Sequence, residues 1–223
     1  MHFEMLAART GIALPSSFIR LQADGRTRYG DNLEDWKSNW LEYSLKAQPL
    51  LSCAYDLEWI DPAQADEIVE GWLNPRFQDG RRFLPFAISG AGDAYCLMPS
   101  ADSGVGVGMI WHDRDDSAIE SATFEHFLFA ALVESAADFD HLLADFSPAQ
   151  ARECVLSNIR VAAAYLPMEL NLALAESIPQ DPPGDEGATG MISRALVDAT
   201  LSVLPAFEPT RFPVLPRWRC GEG

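Results

Sequence analysis

The sequence predicts an α+β fold: a mixed or antiparallel sheet of about four to six strands, helices packed on it, and a helical C-terminal extension. Three observations predict it. Residues 83–99, FLPFAISGAGDAYCLMP, place apolar runs on either side of the Gly90, Gly92 and Asp93 cluster, which reads as two antiparallel strands and a turn. A further apolar run, residues 107–111, supplies a third strand. Phe124, Phe127, Leu128, Ala131 and Leu132 then recur at helical spacing, giving a helix that docks on the strands.

The remaining elements follow from local signals. Residues 2–10 suit a short helix. Pro15 suits the first position of the next one, with Phe18 and Leu21, and with them Ile19, on its apolar face and Gly25 as its stop. Trp36, Trp40 and Tyr43, at i, i+4 and i+7, share one helical face. The first reading of that stripe is core; the second is an aromatic anchor on a binding surface. Residues 50–60 read as a strand. Asp61-Pro62-Ala63-Gln64 is a capping-box start, followed at helical spacing by Ala65, Ile68, Val69, Trp72 and Leu73, and ended by Asn74-Pro75.

Ser147-Pro148-Ala149-Gln150 repeats the start signal and opens a helix to about Leu166, with Ala151, Val155, Ile159 and Ala162 on one face. A shorter helix over residues 168–177 follows. Residues 179–190, rich in Pro, Gly and acid, read as a mobile loop. Residues 191–204 return to helix, with Ile192, Ala195, Leu196, Ala199 and Val203 on one side. The tail carries Pro205, Pro209, Pro213 and Pro216, so it cannot be regular helix and is expected to lie extended over the surface.

Composition narrows the function. The chain has 223 residues, enough to bury a substantial core, and 48% of them are hydrophobic. Its 33 acidic against 16 basic side chains give a formal charge of −17. That balance argues against nucleic acid and anionic membrane, because phosphate contact needs Lys and Arg, and it suits a basic protein partner. The first residues lack a basic segment followed by an apolar one, and the apolar run at 127–133 is too short to span a bilayer, so a cytoplasmic location is expected. Cys53, Cys96, Cys154 and Cys220 are scattered, with no C-x-x-C pair, and read as small buried hydrophobes rather than a disulfide framework.

No pattern for chemistry stands out. There is no G-x-S-x-G elbow, and His2, His112, His126 and His141 lack metal-ligand spacing; His126 and His141 are expected to face solvent. SGAGDA and SGVGVG lack the Lys-Ser/Thr ending of a phosphate loop and read as turns. The cluster His112-Asp113-Arg114-Asp115-Asp116 is oxygen-rich but has neither the glycine nor the closing Glu of a calcium loop, so it reads as a solvated turn. Asp93, in the hairpin turn, is expected to bond its own backbone. No catalytic residue, cofactor or metal is therefore assigned. The residues placed on a partner surface are Asp93, Asp113, Asp115, Asp116, Trp36 and Trp40.

An ordered set of short pieces carries a resemblance: LPSSFIRLQADG at 14–25, FLPFA, GDAYCL, WHD at 111–113, and SATFEHFL at 121–128. Over about residues 10–135 the chain resembles the SUKH superfamily, which includes the yeast cell-wall assembly regulator and bacterial immunity proteins. The resemblance implies a domain over 1–135, leaving 136–223 as a helical extension with an extended Pro-rich tail. It implies a non-enzymatic immunity protein that neutralises a cognate toxin, a basic nuclease domain being the partner that the charge would suit. The alternatives are a regulator or scaffold of the cell-wall type, and a metal-dependent hydrolase built on residues 113–116.

Overall fold

Three helices open the chain: α1 (Phe3–Thr10), α2 (Ser16–Ala23) and α3 (Leu33–Leu45). A two-residue strand β1 (Glu58–Trp59) and helix α4 (Pro62–Glu70) come next. Then come strands β2 (Leu84–Ile88), β3 (Ala94–Pro99), β4 (Val105–Ile110) and β5 (Asp116–Ile119). Helices α5 (Phe124–Ala137), α6 (Pro148–Ala162), α7 (Met168–Ser177) and α8 (Arg194–Leu201) follow, and β6 (Thr210–Pro213) lies near the end. The structure is a computed structural model that describes residues 2–100, 104–179 and 189–220. Its class is α+β, as the sequence predicts. The expected loop at 179–190 falls largely outside the described residues. The chain forms two compact units, one of Met1–Ile19, Asp56–Phe127 and Phe207–Gly223, the other of Arg20–Tyr55 and Leu128–Ala206; neither is bounded at residue 135.

The first unit is built on an antiparallel sheet in the order β1-β2-β3-β4. Alternation along β3 feeds two cores. Ala94, Cys96 and Met98 join Trp72, Leu73, Phe83 and Ile110 on one side. A separate aromatic cluster gathers Phe18, Trp59, Phe86 and Phe124, with Phe3 edge-on to Phe18 at 5.2 Å. Phe18 and Leu21 are buried as expected, whereas Ile19 is exposed.

Two readings of this unit need correction. SGVGVG is not a turn: Gly106 and Gly108 lie inside β4. A Cβ on Gly108 would stand 2.2 Å from the Ala118 carbonyl oxygen, so glycine there lets the β5 backbone approach closely. The tail does not lie loosely over the surface either. β6 pairs antiparallel with β5, Ser117 opposite Phe212, and Phe212, together with Val214 just beyond the strand, is buried in the core. Pro209 precedes β6 and Pro213 ends it, positions compatible with an edge strand.

Gln78, only 3% exposed, holds this tail. Its Nε2 donates to the Leu215 and Trp72 carbonyls, and its Oε1 accepts from the Leu215 amide. Helix α4 has the expected capping box, with Asp61 accepting from Gln64 N–H and Gln64 accepting from Asp61 N–H. It stops at Gly71, so Trp72 and Leu73 are buried in the turn beyond it.

Residues 50–57 are turns and irregular coil rather than strand. Ser52 N–H bonds the Pro49 carbonyl and Ala54 N–H the Leu51 carbonyl, and Leu51 has φ +64. Leu50, Leu51 and Cys53 are buried by this coil in the second unit, without a ladder. A short apolar run carries burial but not backbone geometry.

In the second unit α3 packs with α6 and α7 with α8. Ser147 and Gln150 form the predicted capping box of α6. α8 turns the other way from the sequence reading. Val197 and Thr200 are buried, whereas Leu196 and Val203 are exposed. His141 is half-buried rather than solvent-facing, its ring 5.4 Å from that of Tyr55, and burial pushes its pKa down. His126 is also partly buried. All four cysteines are free and buried. Burial raises their thiol pKa values, that of Cys154 to about 11, which suppresses the reactive thiolate.

Candidate functional site

Helix α3 carries an exposed apolar surface in the second unit. Of its 13 residues, Ser44 alone is buried. Leu33 is 64% and Leu41 41% exposed, and Trp36, Trp40 and Tyr43 are half-buried. The stripe read first as core is thus a partly solvated face. It does have one supporting edge, where Trp40 meets Phe146 edge-on at 5.8 Å.

The helix begins where Asn32 accepts from Glu34 N–H and Asp35 N–H, both at 3.1 Å. Tyr29 packs edge-on to Trp36 at 4.9 Å, and Trp36 stacks on Tyr43 at 6.1 Å. The Tyr43 hydroxyl donates to Asp35 Oδ2 at 2.6 Å, and Asp31 N–H donates to the same oxygen at 2.9 Å. The Asp35 carboxylate raises the Tyr43 pKa to about 12, and the Tyr43 hydroxyl holds the Asp35 carboxyl below its usual range. Gly30, at φ +63, closes the set, because a Cβ there would meet Asp35 Oδ2 at 2.6 Å. These contacts hold the aromatic rings in place. Asp31 and Glu42 are exposed and close enough to act on Tyr43, and Glu34 is exposed in the first turn of the helix. Such an arrangement can bury flat apolar surface while its carboxylates meet Lys or Arg.

The other sequence-assigned residues lie in the first unit. Asp93 is only 4% exposed, so it is not itself a contact surface. Nor does it simply bond its own turn. Its Oδ1 accepts from His112 N–H at 2.9 Å and lies 2.7 Å from His112 Nδ1, while Oδ2 accepts from the Ser89 hydroxyl at 3.0 Å. A carboxylate can only accept, so Nδ1 carries the proton. Burial pushes the Asp93 carboxyl up, but the His112 amide, His112 ring and Ser89 hydroxyl more than offset it, and its pKa lies below the ordinary value. The bond ties the hairpin turn between β2 and β3 to the end of β4.

A lowered carboxyl pKa adds stability that is present above the unfolded value, about 3.9, and is lost as pH falls through the folded one. Asp93→Asn is accordingly expected to lower the thermal midpoint at neutral pH, with the gap to the native protein closing below about pH 4. Melting curves from pH 7 to pH 3 check this; a gap that is constant across the range would contradict it.

Asp113 and Asp115 are exposed beyond this anchor, as the sequence reading has them. Asp116 is not in the turn but opens β5, where Arg211 donates to its Oδ2 at 3.0 Å. Asp93, His112 and Asp113 offer ligand atoms that all lie within 4.8 Å of one another. Tyr29, Asp35, Leu33 and Leu41 are surface residues that sequence reasoning missed. Tyr29 lies before the helix, and the seven-residue step from Tyr29 to Trp36 to Tyr43 was the available signal.

No protein-family model, curated protein or solved structure matches this chain. The SUKH resemblance rests on its ordered sequence pieces alone.

Proposed function

We propose that this is a non-enzymatic binding protein that presents the acidic, aromatic face of α3 to a basic protein partner. One observation carries the reading: a 13-residue helix with a single buried residue displays Leu33, Trp36, Trp40, Leu41 and Tyr43 among carboxylates. The net charge of −17 supports it by attracting a basic partner over a distance. With the SUKH resemblance, the partner is a basic toxin domain, such as a nuclease that must hold phosphates, and the protein is its cytoplasmic immunity protein. None of its described helices is long and apolar enough to cross a membrane.

Affinity capture from the native cell tests the surface. Leu33→Asp with Leu41→Asp changes two exposed side chains, so the thermal midpoint should hardly move. The wild-type bait should recover a basic protein that the double variant loses. Equal recovery by both baits would remove α3 from the interface, and a regulatory or scaffold protein as the captured partner would overturn the immunity reading alone.

The cluster of Asp93, His112 and Asp113 favours a second reading, a metal-dependent hydrolase. Two of its ligand atoms are already engaged with each other in the Asp93–His112 bond, which serves to hold the hairpin. Calorimetric titration with Zn²⁺ and Mn²⁺ separates the two, since the binding-protein reading expects no heat that Asp93→Asn abolishes.

A further inference from the structure

The first unit contains a cleft of about 520 Å³ between α4 and the C-terminal 3-10 turn Arg217–Arg219. Small-ligand sites run from roughly 300 to 1,000 Å³. Its apolar lining is Ile60, Ile68, Trp72, Phe77 and Ile88. Arg76 and Arg217 line the same cleft, and among the described residues neither forms a salt bridge. Arg76 lies over the Phe77 ring at 4.4 Å, beside the apolar lining. Glu67 and Glu70 add carboxylates from α4; Glu70 is held by Arg9 at 3.4 Å, whereas Glu67 has no salt bridge among the described residues.

The walls are fixed. Arg217 N–H donates to the His112 carbonyl at 2.8 Å, Cys220 Sγ lies 3.6 Å from the Trp72 carbonyl oxygen, and Gln78 clamps the chain just before the turn. Gly92, at φ +91, adds no side chain to the rim.

Two cations, one uncommitted anion and an apolar floor suit a ligand with the same features in complement. We propose that this cleft binds a small zwitterion, an α-amino acid with a large apolar or aromatic side chain. Its carboxylate meets Arg76 and Arg217, its ammonium meets Glu67, and its side chain covers Ile68, Trp72 and Ile88. A dianion such as a phosphate monoester is disfavoured by the two glutamates. This site is independent of the α3 surface and stands or falls without it.

Saturation-transfer NMR with three probes tests the proposal: L-phenylalanine, 3-phenylpropionate without the ammonium, and phenethylamine without the carboxylate. L-Phenylalanine should bind at least about ten-fold more tightly than either truncation, as expected when a charge-assisted hydrogen bond is lost. Glu67→Gln and Arg217→Gln should each weaken it by about ten-fold or more at an unchanged thermal midpoint. Arg76→Gln, on a separate segment, should do the same, which keeps the test intact if Arg217→Gln disturbs the tail. Equal binding of the three probes, no transfer from L-phenylalanine at millimolar concentration, or full affinity in the Glu67→Gln and Arg76→Gln proteins would overturn it.

Discussion

Truncating Phe124 to alanine is expected to cost about 3–5 kcal/mol, the range for removing a fully buried aromatic ring. Phe124 is completely buried. It meets Phe18 edge-on at 5.4 Å and Phe86 at 5.5 Å, with Trp59 at 6.5 Å. Those rings come from α2, β1 and β2, so a void here loosens three elements at once. Spacing alone points equally to Phe127, but that ring is only half-buried against Phe86 and Tyr95. Phe127→Ala should therefore cost clearly less. Urea unfolding of the two variants checks the ranking, and equal losses would contradict it.

The second large effect is expected from adding a single methyl group. Gly108→Ala places a Cβ 2.2 Å from the Ala118 carbonyl oxygen and 3.1 Å from its carbon, a clash with backbone rather than with a side chain that could swing away. Either β4 or β5 must move, and β5 is the strand that holds β6 and the tail. Overpacking costs typically about 1–3 kcal/mol, and a backbone clash belongs at the top of that range. Gly104→Ala is the control, with nothing among the described residues within 4 Å of its Cβ. Thermal melts should show a loss of several degrees for the first variant and almost none for the second; matching melts would mean that β4 and β5 do not approach this closely.

How much was legible depended on whether the signal was local. Both capping boxes lie within four residues, and both start helices where expected. The β2–β3 hairpin was marked by its own turn residues. β6 was not legible, because its partner β5 is nearly a hundred residues earlier and its own sequence, Thr-Arg-Phe-Pro, has little strand character. The glycines of β4 were misread for the same reason: what they accommodate is the distant backbone of β5. In α8 the stripe counted from Ile192 to Val203 overlooked Val197 and Thr200, whose burial depends on which side the other helices take up.

The candidate surface was half legible. The spacing of Trp36, Trp40 and Tyr43 placed them on one face of a helix, but depth of burial is a tertiary property that periodicity does not carry. Asp93 was visible as a turn residue. Its bond to His112 joins positions 19 residues apart across a strand pair, beyond the reach of sequence pattern.

The proposed contact of α3 with a basic partner is best checked by association kinetics with the captured, purified partner. Two variants are compared with the native protein: Asp31→Asn, Glu34→Gln and Glu42→Gln around α3, and Asp113→Asn, Asp115→Asn and Asp116→Asn beyond β4, the last of these at the start of β5. Exposed charges contribute little stability, so both should melt near the native midpoint. The α3 variant is expected to associate more slowly at low salt and to lose most of its salt dependence, because charges at an interface rim act chiefly on the on-rate. The β4 variant should show a smaller effect of the same sign. An α3 variant that associates as fast as the native protein from low to high salt would contradict the account.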